Sequence, residues 1–151
     1  MLVKKLSYSY TSVLGIGFIP FASGTWGSLF AIITYHFFLS HLPLSFSIMT
    51  VTSLSAISIL LSNFIIPDKS SDPKHIVIDE VIGMWITCIL APNTIWWLCA
   101  AFLLFRLLDI TKLPPVNLLE KLHGGLGIIA DDIGAGLIAG FVLFIAGAIL
   151  M

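Results

Sequence analysis

Long apolar stretches separated by short connections dominate the pattern of this chain. Five stretches approach or exceed the roughly 17 residues that an α-helix needs to cross about 30 Å of hydrocarbon. The connections between them hold most of the Pro residues and most of the charged side chains, which is typical of turns between helices. The pattern therefore predicts an all-α polytopic membrane bundle of about five transmembrane helices, at residues 25–42, 44–66, 76–91, 94–110 and 133–151.

The composition supports a lipid environment for most of the surface. Of the 151 residues, 58% are apolar and 10% are charged, whereas soluble globular proteins carry about 25% charged residues. A length of 151 residues favours one integral-membrane domain, residues 1–151. The seven basic and eight acidic side chains provide no basic surface for nucleic acid. The bilayer is the expected partner, and the oligomeric state is left open.

The N-terminal part of the chain is expected to remain attached and to form a glycine-rich re-entrant or interfacial segment before the first span. Polar residues at 7–10 interrupt the apolar run that a signal peptide requires. Cys88 and Cys99 lie inside apolar stretches without CxxC spacing, so we expect neither a disulfide nor a thiolate metal site.

The basic residues predict the orientation, because Lys and Arg near the ends of spans are retained in the cytoplasm. With five spans, every basic residue falls on one side of the membrane, and the N-terminus is cytoplasmic. A count of four or six spans breaks this agreement. The basic residues are Lys4, Lys5, Lys69, Lys74, Arg106, Lys112 and Lys121.

All eight carboxylates fall on the same predicted side, and five of them lie at the ends of three different spans. Oxygen ligands that converge in this way suit Mg²⁺ or Mn²⁺. Alternatively, the two adjacent pairs place negative charge at helix N-termini, although this does not explain Asp109, at a helix C-terminal end. The candidate catalytic and metal-binding residues are Asp79, Glu80, Asp109, Asp131 and Asp132.

Basic and glycine-rich elements accompany these acids. Arg106 and Lys112 share a helical stripe with Asp109, either as phosphate ligands or as an ion pair and an interfacial lysine. Two glycine-rich stretches, which contain Gly24, Thr25 and Gly27 in one and His123 in the other, either offer backbone N–H groups to a phosphate or allow close helix packing. His75 and His123 are interfacial polar residues or proton carriers.

Four motifs carry a resemblance to a known family. They are residues 24–28 (GTWGS), 76–86 (IVIDEVIGMWI), 105–109 (FRLLD) with Lys112, and 123–136 (HGGLGIIADDIGAG). In this order the chain resembles the phosphatidylglycerophosphatase A family of bacterial inner-membrane enzymes. Two departures, Ser23 and the run at 113–115, remove no ionisable group.

The resemblance implies a phosphoric monoester hydrolase that converts the phospholipid phosphatidylglycerophosphate to phosphatidylglycerol, with Mg²⁺ as cofactor and the active site facing the cytoplasm. The five acids would hold one or two Mg²⁺ ions and activate a water. Substrate phosphate would bind Arg106 and Lys112, helped by Gly24, Thr25, Gly27 and His123. Attack by a carboxylate to form an acyl phosphate remains an open alternative.

A small ion- or proton-coupled transporter is the second hypothesis from the sequence. Such a transporter should place its acids near the bilayer midplane and repeat them in both halves of the chain, and neither feature occurs in the sequence. For the phosphatase, we expect amide substitutions of the five candidate acids to abolish turnover, and substitutions of Asp68, Asp72 or Glu120 to be tolerated.

Overall fold

A computed structural model describes residues 2–65 and 75–150, apart from the side chain of Leu2. Within these ranges the chain is entirely helical, which confirms the predicted all-α class. Two short 3₁₀ turns, Ile16–Phe18 and Leu39–His41, accompany the α-helices. The α-helices are α1 (Leu2–Thr11), α2 (Ser23–Phe37), α3 (Leu44–Ile65), α4 (Ile78–Leu90), α5 (Ile95–Thr111), α6 (Val116–Leu119) and α7 (Gly125–Leu150).

Helices α2, α3, α4, α5 and α7 correspond to the five predicted spans. By length and composition, α3 with 22 residues and α7 with 26 are suited to cross a membrane. The other three are shorter, and α4 has only 13 residues, about 20 Å at 1.5 Å per residue. The predicted last residue of the second span, Ile66, lies outside the described residues, as do Asp68, Lys69, Asp72 and Lys74.

Helix α4 forms the centre of the bundle. Most of its apolar side chains are buried, with Ile82 and Met84 at 0% exposure. Helices α2, α3, α5 and α7 all pack against it. A helix enclosed in this way contacts protein rather than lipid on most of its surface, so its length need not match the bilayer.

The α4–α7 contact depends on two glycines. A Cβ atom on Gly83 would lie 2.6 Å from the carbonyl oxygen of Asp132, and a Cβ on Gly136 would meet the backbone of Gly83. The Thr87 hydroxyl joins the two helices, since it lies 3.0 Å from the Gly83 carbonyl oxygen and 3.2 Å from that of Gly136. The two backbones approach closely because neither glycine carries a side chain.

The predicted start of the last span, residue 133, is wrong, because α7 begins eight residues earlier at Gly125. The backbone N–H of Gly125 donates to the side-chain oxygen of Asn63 on α3 at 2.9 Å, which satisfies one of the free donors of a helix start. Asp131 and Asp132 consequently lie in the second turn of α7, so the alternative that they occupy a helix N-terminus does not hold.

The glycine-rich segment after α1 folds back against the start of α4. The Val77 N–H donates to the Thr11 carbonyl at 2.9 Å, and a Cβ on Gly17 would lie 2.7 Å from the carbonyl carbon of His75. The Tyr10 hydroxyl holds α1 on α3 through Ser58, at 3.0 Å. These contacts bring residues 17–24 to the cytoplasmic end predicted for the bundle.

The glycine contact between α4 and α7 can be tested with two substitutions in one helix. Gly136→Ala should destabilise the protein by about 1–3 kcal/mol, the usual result of overpacking, because its Cβ would meet the immobile backbone of Gly83. The matched control is Gly134→Ala, whose Cβ would meet only the end of the Leu119 side chain. Unfolding in detergent micelles, followed by circular dichroism, measures the stability of the two variants. Equal stabilities would contradict the close contact between Gly136 and Gly83.

Candidate active site

A cavity of about 920 Å³ lies where α2, α4 and α7 begin and α5 ends. Six carboxylates and two basic groups line it, together with backbone from the glycine-rich segment. The structure thus brings together all five acids that the sequence predicted and adds Glu120. The ionisable lining residues with carboxylate or basic side chains are Asp79, Glu80, Asp109, Glu120, Asp131, Asp132, Arg106 and Lys112.

Three of these acids form a compact cluster. Carboxylate oxygens of Asp79, Glu80 and Asp132 all lie within 4.8 Å of one another. Asp79 and Asp132 are buried, at 8% and 3% exposure, and the buried Oε2 atom of Glu80 has no hydrogen-bond partner. Three carboxylates so close together repel each other unless a proton or a cation neutralises them, so the donor set fits a hard divalent cation.

Two residues of α5, Arg106 and Asp109, lie next to this cluster. Arg106 forms an ion pair with Asp109, and Asp109 in turn lies in hydrogen-bonding contact with Asp132. The Nε atom of Arg106 is buried and has no partner. The guanidinium therefore anchors Asp109 through Nη1, and its Nε donor has no acceptor among the described residues.

A second basic group, at the C-terminal end of α5, also lines the cavity. The Lys112 ammonium donates to Glu120 at 2.7 Å and to Asp131 at 2.9 Å. Burial lowers the pKa of this ammonium, but the two carboxylates outweigh burial and raise the pKa above its ordinary value. Lys112 is therefore a permanent cation beside the buried Asp131.

The start of α2 forms one wall. Ser23 and Gly24 line the cavity, and a Cβ on Gly24 would lie 3.1 Å from a guanidinium nitrogen of Arg106 and would collide with the Glu80 carboxylate. Gly27 instead packs against Val77. Among the predicted phosphate ligands, Thr25, Gly27 and His123 do not line the described cavity.

Two further ionisable residues, His75 and Glu120, line the cavity, and the sequence offered His75 as either an interfacial residue or a proton carrier. His75 stacks against Phe18 with ring centroids 5.6 Å apart, and burial lowers the pKa of its imidazole. Glu120 was expected to lie outside the site. No spacing rule could have found it, because the chain reverses at α6 between Lys112 and α7.

An all-helical bundle with a carboxylate-rich cavity at one end, large enough for a phosphate ester, is typical of a membrane-associated protein that acts on a small charged group. The family model for phosphatidylglycerophosphatase A matches residues 10–147. The chain therefore belongs to the phosphatidylglycerophosphatase A family, which confirms the resemblance and the predicted phosphatase class.

The chain is also similar to curated phosphatases over most of its length, and two of them carry the name of this family. The chain is 38% identical to phosphatidylglycerophosphatase A of Escherichia coli K12 over 136 residues, 88% of this chain and 78% of the relative. It is 36% identical to phosphatidylglycerophosphatase A of Haemophilus influenzae over 86% of this chain and 82% of the relative. A candidate phosphatidylinositol-3-phosphatase of Bacteroides thetaiotaomicron is 34% identical over 87% of each chain. No solved structure matches significantly.

The close approach of α2 to the acids can be tested at Gly24. Gly24→Ala should displace both Glu80 and Arg106, and an error of about 1 Å in an active site can reduce turnover about 100-fold. Gly27→Ala is the matched comparison, because its Cβ would press on Val77 away from the cavity. Turnover of a lipid phosphate by the two purified variants measures the effect; a larger loss in Gly27→Ala would contradict this description of the wall.

Proposed function

We propose that this protein removes the terminal phosphate of phosphatidylglycerophosphate to give phosphatidylglycerol, in a Mg²⁺-dependent hydrolysis at the cytoplasmic face of a bacterial inner membrane. The observation that carries the proposal is the cluster of Asp79, Glu80 and Asp132, within 4.8 Å of one another, in a chain of this family. Membership of the family supports the reaction, and the geometry supports the cofactor.

The donor set fits Mg²⁺ on three counts. All of the clustered ligand atoms are carboxylate oxygens, which Mg²⁺ prefers over nitrogen and sulfur. The unpartnered Oε2 atom of Glu80 is a buried acceptor that a cation would satisfy. Six carboxylates face only two basic groups in the cavity, so added positive charge is required before an anionic phosphate can approach.

The acids have different roles in this proposal. Asp79, Glu80 and Asp132 would hold the cation directly. Asp109 pairs with Arg106, and Asp131 pairs with Lys112. These two acids orient the basic groups and would provide further ligands to the cation. When bound, Mg²⁺ would neutralise phosphate oxygens and lower the pKa of a water molecule.

The basic groups and the α2 terminus bind the phosphate. Arg106 donates from its unpaired side to phosphate oxygens and stabilises charge that develops during transfer. Lys112 supplies a second cationic contact through its ammonium group. The start of α2 at Ser23 and Gly24 adds the positive end of a helix dipole. His75, which also lines the cavity, would accept or donate a proton there.

The membrane arrangement follows from the positions of the charges. The acids of the cavity lie near the ends of α4 and α5 and in the second turn of α7, rather than at the centres of these helices, which favours a phosphatase over a transporter. Five spans, with α2, α4 and α5 inserted beside α3 and α7, place this end in the cytoplasm under the positive-inside rule.

Amide substitution tests the assigned acids. Asp79→Asn, Glu80→Gln and Asp132→Asn should each lower Mg²⁺-dependent phosphate release by at least about 100-fold, because each removes a charged ligand. Asp109→Asn and Asp131→Asn should also be impaired through Arg106 and Lys112. Phosphate release from a short-chain lipid phosphate, with a Mg²⁺ titration after EDTA treatment, gives the readout.

Asp72→Asn is the control for this series, since the sequence predicts no role for Asp72 in the site. Calorimetric titration of Mg²⁺ separates loss of the cation from loss of chemistry. Full Mg²⁺-dependent turnover in any one of the five variants would remove that residue from the site, and EDTA-resistant turnover of the parent protein would contradict the cofactor.

The topology can be tested by labelling with a membrane-impermeant maleimide. In a Cys99→Ser background, Leu42→Cys, in the exposed turn after α2, should react in intact spheroplasts. Lys121→Cys, exposed beside the cavity, should react only after permeabilisation. The reverse labelling pattern would place the site on the outer face.

A further inference from the structure

Glu120 is the one charged residue of the described cavity to which the proposed function gives no role. It caps the short α6 helix, and its side chain is 49% exposed. Its carboxylate accepts a hydrogen bond of 2.7 Å from Lys112, eight residues earlier in the chain. An exposed ion pair of this kind adds little to folding stability, so stability alone gives no reason for it to line the cavity.

The Lys112 ammonium has three N–H donors, and the structure accounts for two of them. Glu120 accepts one and the buried Asp131 accepts another. The third donor has no partner among the described residues, while Lys112 itself lines the cavity. Two fixed acceptors therefore restrict a side chain that is ordinarily among the most flexible.

The backbone at Lys112 is also constrained. Its φ of 45° lies in the left-handed region, which residues other than Gly adopt uncommonly and only where surrounding contacts stabilise it. This conformation ends α5 and turns the side chain toward α6 and α7. Backbone and side chain are thus both held in place at the same residue.

We propose that Glu120 is a positioning residue for phosphomonoester binding: with Asp131, it holds the Lys112 ammonium so that the third N–H group points to the lipid phosphate. This inference rests on the proposed function for its substrate. Glu120 acts on the substrate through Lys112 without touching it. This role differs from the expectation from the sequence, which placed Glu120 outside the site.

Steady-state kinetics with a short-chain phosphatidylglycerophosphate in detergent micelles test the inference. Glu120→Gln should raise KM about tenfold and change kcat much less, the pattern for loss of one charge-assisted contact made equally in the ground and transition states. Lys112→Met should raise KM at least as much. In the Lys112→Met background, Glu120→Gln should have no further effect, because a residue that acts only through Lys112 loses its influence without it.

Lys121→Gln is the matched control, because Lys121 is the exposed neighbour of Glu120 and its substitution also changes the net charge by one. Its KM should stay within about twofold of that of the parent protein, as for ordinary surface substitutions. Glu120→Asp keeps the carboxylate and should retain part of the affinity. Unchanged KM in Glu120→Gln, additive losses in the double variant, or equal impairment in Glu120→Asp and Glu120→Gln would each overturn the proposal.

Binding of inorganic phosphate to the Mg²⁺-loaded protein, measured by calorimetry, separates this inference from the proposed function. Suppose that the parent protein hydrolyses no lipid phosphate, but Glu120→Gln binds inorganic phosphate more weakly than the parent does. This result would support the positioning role and refute the proposed function. Unchanged phosphate binding beside normal turnover of phosphatidylglycerophosphate would refute the positioning role alone.

Discussion

The contact between the backbones of α4 and α7 at Gly83 and Gly136 is the constraint on which the site depends. Asp79 and Asp132 each lie four residues before one of these glycines, a little more than one helical turn. When the two backbones touch, the preceding turns bring these carboxylates together beside Glu80. Their mutual repulsion opposes this arrangement, and the buried packing of α4 against four other helices offsets it.

The charges around this cluster are organised in two groups of ion pairs. Arg106 and Asp109 form one pair on α5, and Lys112 joins Glu120 and Asp131 in the other. Each base is paired with an acid and still retains donor capacity toward the cavity. Charged groups near lipid require such partners because isolated charges are expensive there. The same pairs that make burial tolerable therefore also prepare a site for an anion.

Apolar patterning predicted the five long helices, and the acidic and basic residues at their predicted ends indicated where they would converge. The start of α7 was missed because Gly has a poor helix propensity, whereas here its small size allows Gly125 to pack on α3, with Asn63 as the cap. The site role of Glu120 depends on the reversal at α6, a helix of four residues that is too short to show periodicity. Close approaches such as that of Gly24 to Glu80 arise from tertiary packing, which local patterns do not encode.

The carboxylates of the site lie well below the first residue of α7. Asp131 lies six residues beyond the start of α7, so the carboxylates sit about 9 Å below the first residue of that helix. The cavity around them is lined by the starts of α2 and α4, the end of α5 and the glycine-rich segment. Under the proposed function, a polar headgroup would enter this cavity while its acyl chains stay in the leaflet, so hydrolysis would need no extraction of the lipid.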